Sequence, residues 1–402
     1  MEITHAVGIE INDDYCGNCL ICPAVCPFEA ISVDEESGKV KLDIEKCQMC
    51  GLCVTACPVS AIDLVYYDIA SLVSYVQSQM DETGFKTLVL TCRGSDPAID
   101  EIGKILEDEK VENFVSLRLP CVGRVPLQFF LKTIALGLER IVVIQCEEDF
   151  CRFKDGSRIG TNRFILLQSL LDELGYESNT LTLVKNAVKA VYDTEKCVGC
   201  GKCVFICPYD AIEWNHLSTP EINSDACVGC GACATVCPHQ AIELRGYQYE
   251  PVSQLIRHFS ERAREVRSRG VTPVVLVFCC QWSEFSALDD VKKGLLGENV
   301  MIIELPCAKG LDPVHVLDAL YSGFDGVLAI TCPENECKLE EGIEIPERNL
   351  FALKKVLKQL NMEDKFEITT TSPKYVGDFN AKLDWFIQKI SSITKSEVQT
   401  AQ

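Results

Sequence analysis

The stretch CGNCLICPAVCP, residues 16–27, places four cysteines within eleven positions and follows the fourth with a proline. The same spacing, Cys-x2-Cys-x2-Cys-x3-Cys-Pro, occurs four times in the 402-residue chain, which contains 25 cysteines. Cysteines this close in sequence are too crowded to pair comfortably with one another, and disulfides need an oxidising compartment that nothing else in the sequence indicates. The four runs therefore indicate metal-binding loops.

The spacing also argues against a zinc ribbon, because zinc ribbons separate two Cys-x2-Cys pairs by a long spacer. It resembles instead the two-cluster bacterial ferredoxins, in which three cysteines of a run hold one [4Fe-4S] cluster and the fourth ligates its neighbour. Each run also continues with Ala-Ile three residues after the proline. The resemblance implies four [4Fe-4S] clusters, with the ligand sets Cys16, Cys19, Cys22 and Cys57; Cys47, Cys50, Cys53 and Cys26; Cys197, Cys200, Cys203 and Cys237; and Cys227, Cys230, Cys233 and Cys207.

The composition indicates which kind of partner the protein binds and in which cellular compartment it is found. The chain carries a net charge of -21 and has a pI near 4.7. Nucleic acid and anionic membranes repel an acidic surface, so we expect a protein partner with a basic patch. The first residues lack the basic region and apolar core of a signal peptide. No uninterrupted stretch of about 18 apolar residues, as a membrane span needs, occurs in the sequence. We therefore expect a cytoplasmic protein with no membrane span.

Eight of the remaining cysteines form two matching sets. A shift of 186 to 188 residues carries the first set onto the second, and the flanking stretches NFVSLRLPCVGR (113–124) and NVMIIELPCAKG (299–310) correspond as well. The sets are Cys92, Cys121, Cys146 and Cys151, and Cys280, Cys307, Cys332 and Cys337. Since a shift of about 180 residues also overlays the two ferredoxin-like regions, the chain is an internal duplication.

Three cysteines of each set follow short β-branched runs, such as TLVLT before Cys92 and RIVVIQ before Cys146. Helical patterns, for example 126–136 and 312–320, separate these runs and predict a parallel sheet. Parallel strands end at one edge, so the cysteines should converge there. The predicted fold class is α/β plus α+β. Two ferredoxin-like domains (1–66 and 190–246) alternate with two parallel-sheet, flavodoxin-like layered α/β domains (67–189 and 247–402).

Four convergent thiolates suit zinc or a [2Fe-2S] cluster, and a redox disulfide in the closing Cys-x4-Cys pair is a third interpretation. The LPC motif, GxDG before a strand and the closing Cys-x4-Cys resemble the delta (iron–sulfur) subunit of methyl-viologen-reducing hydrogenases. This resemblance covers about 67–190 and 246–392 and implies one [2Fe-2S] cluster in each set, two in all. The family commonly has Cys-x2-Trp-Cys after the first strand, where this chain reads Cys280-Gln281-Trp282-Ser283 and Cys92-Arg93-Gly94-Ser95. Cys279 is left over and is expected to be a buried small residue.

Motifs for nucleotide chemistry are missing from the sequence, because neither Gly-x-Gly-x-x-Gly nor Gly-x4-Gly-Lys-Ser/Thr stands between a strand and a helix. The resemblance implies a non-catalytic electron-transfer subunit of an anaerobic hetero-oligomeric complex. Its partners would be a hydrogenase or formate dehydrogenase and heterodisulfide reductase-like subunits, including flavin-bifurcating ones. Two other functions stay open. One is a subunit that reduces a disulfide with its own α/β-domain cysteines, and the other is a free polyferredoxin that diffuses between partners.

Overall fold

The computed structural model describes residues 8–64, 68–95, 105–109, 111, 113–214, 219–247, 249–283, 296–339 and 344–400. The chain divides into two compact units, one built mainly from residues before 188 and the other mainly from residue 188 onward. Each unit contains short antiparallel ribbons followed by a four-stranded parallel sheet. No helix in the described ranges is both long and apolar enough to cross a membrane.

The ferredoxin-like part of the first unit consists of two antiparallel ribbons and two short helices. Its elements are β1 (Ile9–Ile11), α1 (Ile21–Val25), β2 (Ile31–Val33), β3 (Val40–Leu42), α2 (Leu52–Ala56) and β4 (Ile62–Leu64). Strand β1 pairs with β4, and β2 pairs with β3. The side chains of Ile9, Ile31 and Ile62 pack together with the buried cysteines Cys22, Cys47 and Cys53. The cysteines therefore form part of the core of this small domain.

The α/β part of the first unit is a parallel sheet covered by helices. Its elements are α3 (Ile69–Thr83), β5 (Thr87–Cys92), β6 (Phe114–Leu119), α4 (Leu127–Ala135), β7 (Arg140–Cys146), α5 (Gly156–Glu173) and β8 (Leu181–Asn186). The strand order is β6-β5-β7-β8, and every pair is parallel. If the four strands are numbered 1 to 4 along the chain, their order in the sheet is 2-1-3-4. The chain therefore adds β6 on one side of β5 and adds β7 and β8 on the other side, so the direction of the connections changes between β5 and β7. Open α/β sheets place their ligand sites beyond the carboxyl ends of such a pair.

The central strands of this sheet are buried on both faces, which explains why their sequences are almost continuously apolar. Leu88, Leu90 and Val143 pack in one layer with Phe129 of α4 and Leu167 of α5. Val89, Val142 and Ile144 face the opposite side, where they contact Leu106. Burial on both faces holds the register of β5 and β7, and it therefore fixes where these strands end.

The second unit repeats the ferredoxin-like architecture. Its elements are β9 (Ala190–Tyr192), α6 (Lys202–Ile206), β10 (Ile212–Glu213), β11 (Glu221–Ile222), α7 (Ala232–Thr235) and β12 (Ile242–Leu244). Strand β9 pairs with β12 and β10 with β11, both antiparallel, as β1 pairs with β4 and β2 with β3 in the first unit. Ile212 and Ile242 pack against Cys203 and Cys233.

The α/β part of the second unit repeats the parallel sheet and adds a C-terminal helix. Its elements are α8 (Tyr249–Ser268), β13 (Val275–Cys280), β14 (Val300–Leu305), α9 (Pro313–Tyr321), β15 (Gly326–Thr331), α10 (Glu344–Gln359), β16 (Phe366–Thr370) and α11 (Asp378–Thr400). The order β14-β13-β15-β16 is again parallel throughout and corresponds to the order in the first unit.

The structure confirms the predicted fold class. The helical patterns at 126–136 and 312–320 correspond to Leu127–Ala135 and Pro313–Tyr321. The second of these begins where expected because Asp312 caps it, accepting a hydrogen bond of 2.8 Å from the backbone amide of Val314. One detail differs from the sequence prediction. Cys92, Cys146 and Cys280 are the last residues of their strands rather than the residues that follow them.

Candidate metal centres

The four cysteine runs share one backbone conformation. In every run, the residues on either side of the second cysteine have positive φ angles, in the left-handed region that favours glycine and asparagine. These residues are Asn18 and Leu20, Met49 and Gly51, Gly199 and Gly201, and Gly229 and Gly231. A loop with left-handed residues turns successive backbone N–H groups toward one concave side, where they favour negative charge. Consistent with this, the amides of Met49 and Gly199 donate to the sulfurs of Cys47 and Cys197, at 3.4 and 3.3 Å.

The alanine that repeats after each run has a role that sequence reasoning missed. In three runs its backbone N–H donates to the sulfur of the fourth cysteine, from Ala61 to Cys57 at 3.2 Å and from Ala241 to Cys237 at 3.2 Å. The same bond joins Ala30 to Cys26 at 3.4 Å. Such bonds favour the thiolate, which is the form that binds metal. The repeated Ala-Ile tail was the signal in the sequence, since the alanine holds a ligand and the isoleucine begins a strand.

In the first ferredoxin-like part, cysteines of different runs lie close together. Cys57 of the second run lies near Cys22 of the first, and Cys26 lies near Cys50 and Cys53. Three of the groups each line one small cavity, as a cradle for an inorganic cluster would. These are Cys26, Cys47, Cys50 and Cys53; Cys197, Cys200, Cys203 and Cys237; and Cys207, Cys227, Cys230 and Cys233.

The two groups of each ferredoxin-like part differ in exposure. Cys19 and Cys200 are exposed, whereas Cys50 and Cys230 are only 7% and 8% exposed. We name the groups that contain Cys19 and Cys200 the outer sites, and the groups that contain Cys50 and Cys230 the inner sites. Burial raises the pKa of Cys50 to about 12. A metal that binds there must displace a tightly held proton.

The first α/β set converges at the carboxyl edge of the sheet. Cys92 and Cys146 end the adjacent strands β5 and β7, and Cys121 lies two residues beyond β6. The thiol of Cys92 interacts with those of both Cys121 and Cys146, and Cys121 also interacts with Cys151. Backbone amides point at the same group, because Val122 N–H donates to Cys92 at 3.1 Å and Ser157 N–H donates to Cys151 at 3.2 Å. We name this set of four the first α/β site.

Gly156 makes that convergence possible. A Cβ atom at this position would lie 2.8 Å from the sulfur of Cys121 and 3.3 Å from that of Cys151, closer than side chains normally approach. Sequence reasoning did not single out this glycine. The available signal was that both closing motifs, QCEEDFCRFKDG and TCPENECKLEEG, end in glycine five residues after their second cysteine.

The second α/β site is built in the same way. The thiol of Cys332 interacts with those of Cys280 and Cys337, and Cys307 lies close to both Cys280 and Cys337. A hydrogen bond with Cys332 lowers the pKa of Cys337 to about 6, whereas burial raises the pKa of Cys307. A hydrogen bond with Cys332 also lowers the pKa of Cys280, and Cys280, Cys307 and Cys332 are buried.

In each unit the inner site packs directly against the α/β site. In the first unit, Phe28 meets Phe153 edge to face with ring centroids 6.4 Å apart, and Lys154 Nζ donates to the carbonyl of Pro27 at 3.1 Å. In the second unit, Tyr209 replaces Phe28, and its hydroxyl donates to the carbonyl of Leu339. Cys230 and Cys307 belong to the same buried cluster. The aromatic residue two positions after the fourth cysteine of a run thus joins the two kinds of domain.

All 25 cysteines lie within the described residues, and none forms a disulfide. Cys279 is buried, and its sulfur lies 2.8 Å from the hydroxyl of Ser283. It follows Phe278 in the strand and precedes the site cysteine Cys280, so the alternation of side chains along a strand places it on the other face. Ser283 therefore contacts the thiol that belongs to no set.

The donor sets fit iron–sulfur clusters. Each of the six groups offers four sulfur ligands, and those of the inner and α/β sites are mostly buried and receive backbone amide hydrogen bonds, the features that hold and tune such clusters. Four sulfur ligands also suit a zinc ion.

Three family models match the chain. The model described as methyl-viologen-reducing hydrogenase, delta subunit, matches residues 88–198 and 275–394, together more than half of the 402 residues. These two matches contain the two α/β sites. Two models of 4Fe-4S dicluster domains match residues 15–61 and 190–244. The chain therefore carries two 4Fe-4S dicluster domains, and these contain the inner and outer sites.

Individual relatives agree with the family models. The chain is 25% identical over 327 residues to a ferredoxin:CoB-CoM heterodisulfide reductase subunit of Methanosarcina mazei, covering 79% of this chain and 38% of that protein. It is 30% identical over 204 residues to the ferredoxin/F420H2-dependent counterpart of Methanosarcina acetivorans, covering 50% of this chain and 25% of that protein. The chain thus spans well under half of these two relatives. It is also 33% identical over 111 residues to the F420-non-reducing hydrogenase vhu iron–sulfur subunit of Methanopyrus kandleri, covering 27% of this chain and 84% of that protein.

Proposed function

This chain belongs to the family of the methyl-viologen-reducing hydrogenase delta subunit, and we propose that it conducts electrons within a larger oxidoreductase complex. It holds four [4Fe-4S] clusters in the inner and outer sites and two [2Fe-2S] clusters in the α/β sites, with Cys279 as the spare cysteine. Its domains are 1–66, 67–189, 190–246 and 247–402. Iron–sulfur clusters, when bound, supply reversible one-electron oxidation and reduction.

One observation supports this proposal above the others, namely that the sulfur ligands of each unit form an unbroken series. The outer and inner sites share a domain, since each run of cysteines contributes to both groups. The inner site then packs against the α/β site, with Cys50 close enough to Cys121 to affect its pKa. In the second unit Cys230 affects Cys307 in the same way. The series leads from exposed Cys19 or Cys200 into the buried edge of the sheet.

The protein supplies position and insulation rather than bond-making chemistry. Strand ends fix the ligands of the α/β sites, and left-handed loops fix the ligands of the dicluster domains. Backbone amides that donate to sulfur stabilise negative charge on the ligands. Unlike acidic side chains, these amides do not give up their protons. Burial of Cys92, Cys121 and Cys146 at 2–4% exposure keeps water and oxidants away from the far end of the series.

The partners follow from the relatives. Those relatives are named as subunits of heterodisulfide reductases and of F420-non-reducing hydrogenases. We propose that this chain joins heterodisulfide reductase-like subunits to a hydrogenase or formate dehydrogenase in the cytoplasm of an anaerobe. The net charge of -21 favours a partner whose docking surface is basic.

Burial argues against the rival function, in which the α/β cysteines reduce a disulfide substrate. A substrate disulfide must meet an attacking thiolate in line, so the thiolate needs access. Cys146 and Cys332 are only 4% and 6% exposed, and Cys151 and Cys337 are only partly exposed. All four also interact with a third thiol of their own set, which suits shared coordination better than a free reactive pair.

The proposal is tested by isolating the tagged chain from its source cells without oxygen. We expect it to elute in a stable complex with a hydrogenase or formate dehydrogenase and with heterodisulfide reductase-like subunits. Hydrogen or formate should then reduce its clusters, as followed by electron paramagnetic resonance. A chain that elutes alone and still shuttles electrons would identify a diffusing polyferredoxin. A purified chain that turns over a disulfide by itself would identify an enzyme. Either result would contradict the proposal.

A further inference from the structure

A buried cation stands between the inner site and the α/β site in both units, although its position along the chain differs. The turn after the second α/β cysteine reads Cys121-Val-Gly-Arg in the first unit and Cys307-Ala-Lys-Gly in the second. Both turns are short 3₁₀ helices, Val122–Arg124 and Ala308–Gly310. The glycine and the basic residue have exchanged places. Both turns keep one positive charge, although the basic residue stands at a different position in each copy of the duplication. This conservation of charge without conservation of position indicates that the charge has a role at this place in the fold.

Arg124 lies against the loop of the inner site in the first unit. It is only 7% exposed, and a Cβ atom on Gly51 would lie 2.9 Å from its Nε and 3.1 Å from its Cζ. Gly51 directly follows Cys50, a ligand of the inner site. The guanidinium is therefore packed against the backbone that carries one cluster, and it projects from the turn that carries Cys121 of the other.

Lys309 occupies the corresponding place in the second unit from the neighbouring position. It is completely buried, and its Nζ lies 3.4 Å from the hydroxyl of Tyr209 and 5.2 Å from the centroid of that ring. Within the described ranges no carboxylate lies within salt-bridge distance of this ammonium group. A buried ammonium is costly without nearby negative charge. Cys230 of the inner site and Cys337 of the α/β site, on which Lys309 acts, would supply such charge as thiolates.

The effects on those ligands support this assignment. Burial raises the pKa of Cys50 and Cys230, and the positive charges of Arg124 and Lys309 oppose that rise. Lys309 also acts on Cys337 of the α/β site. Each cation thus lies beside ligands of its inner site on a turn that carries a ligand of the α/β site, as expected of a charge located between the two.

We propose that Arg124 and Lys309 are positioning residues that raise the reduction potentials of the inner and α/β centres together, by holding a positive charge in the buried contact between them. Reduction adds negative charge to a cluster, and a fixed cation nearby stabilises the reduced form. Because both centres face the same cation, their potentials rise together and electron exchange between them stays close to balanced. This inference rests on the proposed function, since it requires clusters at both sites.

A second positive charge lies beside the α/β ligands in each unit. In the first unit the guanidinium of Arg163 lies near Cys121, and in the second unit Lys338 acts on Cys337. These charges remain when Arg124 or Lys309 is neutralised, so each variant loses only part of the positive charge near its centres.

The test compares Lys309→Met, which keeps length and removes charge, with Lys309→Arg, which keeps charge. Arg124→Met and Arg124→Lys form the matching pair in the first unit. Each full-length variant is prepared without oxygen, its iron and sulfide are counted, and its centres are titrated against potential by electron paramagnetic resonance. We expect Lys309→Met to disfavour reduction of the inner and α/β centres of the second unit about tenfold, or about 59 mV for a one-electron couple. The outer centre should be unchanged, Lys309→Arg should restore the potentials, and Arg124→Met should shift the inner and α/β centres of the first unit in the same direction.

The outcomes separate this inference from the proposed function. Wild-type protein without iron at the α/β sites would contradict the proposed function itself. Full iron content with unchanged potentials in Lys309→Met, or an equal shift at the outer centre, would overturn the inference alone. If Lys309→Met does not assemble its clusters, the Arg124 pair decides, because a shift in Arg124→Met that Arg124→Lys restores would support the inference and its absence would refute it.

Discussion

The two halves of the molecule place equivalent thiols at equivalent sheet edges but surround them with different side chains. In the first half, Phe28 packs on Phe153, Phe129 of α4 is buried in the core of the α/β part, and Arg124 provides the buried positive charge. In the second half, Tyr209 bonds to Leu339, His315 takes the place of Phe129, and Lys309 provides the charge.

The difference shows which features the architecture fixes. Strand ends are set by the register of a sheet that is buried on both faces, so the cysteines there have little freedom. The residues between the ferredoxin-like part and the α/β part need only a suitable volume, polarity or charge. They therefore differ between the two halves. The following predictions use one half as the control for the other, or one residue as the control for its neighbour.

The largest effect is expected from Cys280→Ser, with Cys279→Ser as its matched control. Cys280 belongs to the second α/β site, whereas the adjacent Cys279 contacts Ser283. A serine hydroxyl is a poor ligand for iron, so Cys280→Ser should lose about 2 iron atoms per chain. Electron flow through the second half should fall at least about 100-fold. Iron analysis and rapid-freeze spectroscopy measure both quantities. Equal losses in both variants would show that the spare cysteine has been assigned wrongly.

The next effect concerns the space beside the sulfurs. Gly156→Ala would place a Cβ atom 2.8 Å from the sulfur of Cys121, whereas Gly310→Ala in the second half meets nothing closer than 3.6 Å. Overpacking of this kind costs about 1–3 kcal/mol. We expect reduced occupancy or an altered spectrum of the first α/β centre in Gly156→Ala and a nearly normal spectrum in Gly310→Ala. Matching spectra in the two variants would contradict the close packing of Gly156.

A smaller effect is expected from Gly51→Ala against Gly199→Ala. Both glycines have left-handed backbones, with φ of 77° and 68°, so both substitutions add strain of about 1–2 kcal/mol. Only Gly51→Ala also displaces Arg124 and Leu64, because nothing lies within 4 Å of a Cβ atom on Gly199. Denaturant unfolding of the anaerobic protein should show the larger loss of stability in Gly51→Ala. Equal losses would mean that Arg124 and Leu64 move aside freely.

The smallest effect is a pH dependence confined to the second half. Burial lowers the pKa of His315, against the opposing influence of Asp312, the carbonyl of Tyr249 and Asp318. The folded state then binds a proton less readily than the unfolded state. The stability of α9 is therefore complete above the ordinary histidine pKa of about 6.5 and decreases as the pH falls below it.

Hydrogen exchange of α9 between neutral and mildly acidic pH measures this loss. The equivalent helix α4 carries Phe129 and should show no such dependence. His315→Phe should remove the dependence from α9. If α9 is equally protected at both pH values in the unmodified chain, the buried histidine does not contribute to stability as described.

The sequence predicted the fold class because the fold depends on short spacings and on strand direction. Four thiols in eleven residues can adopt few loop conformations, and parallel strands bring their ends to one edge. Cross-ligation by Cys57 and Cys26 is a prediction from the same pattern, and in the structure Cys57 lies near Cys22 and Cys26 near Cys53.

The contacts between domains were not predictable from the sequence, and the reason is physical. Arg124 and Lys309 are long charged residues, which are normally solvated, and the exchange with glycine hid their correspondence. Gly156 carries no side chain, so its importance depends entirely on where Cys121 and Cys151 lie. The distinction between inner and outer sites arises from packing between domains, and no local spacing encodes it.

The central claim is that all six groups of cysteines hold iron–sulfur clusters, and quantitative iron, sulfide and zinc analysis of the anaerobic full-length chain tests it most directly. Four [4Fe-4S] and two [2Fe-2S] clusters predict about 20 iron atoms per chain, an equal amount of sulfide and no zinc. About 16 iron atoms with about 2 zinc ions would show that the α/β sites are structural and that the series of electron carriers ends at the inner sites.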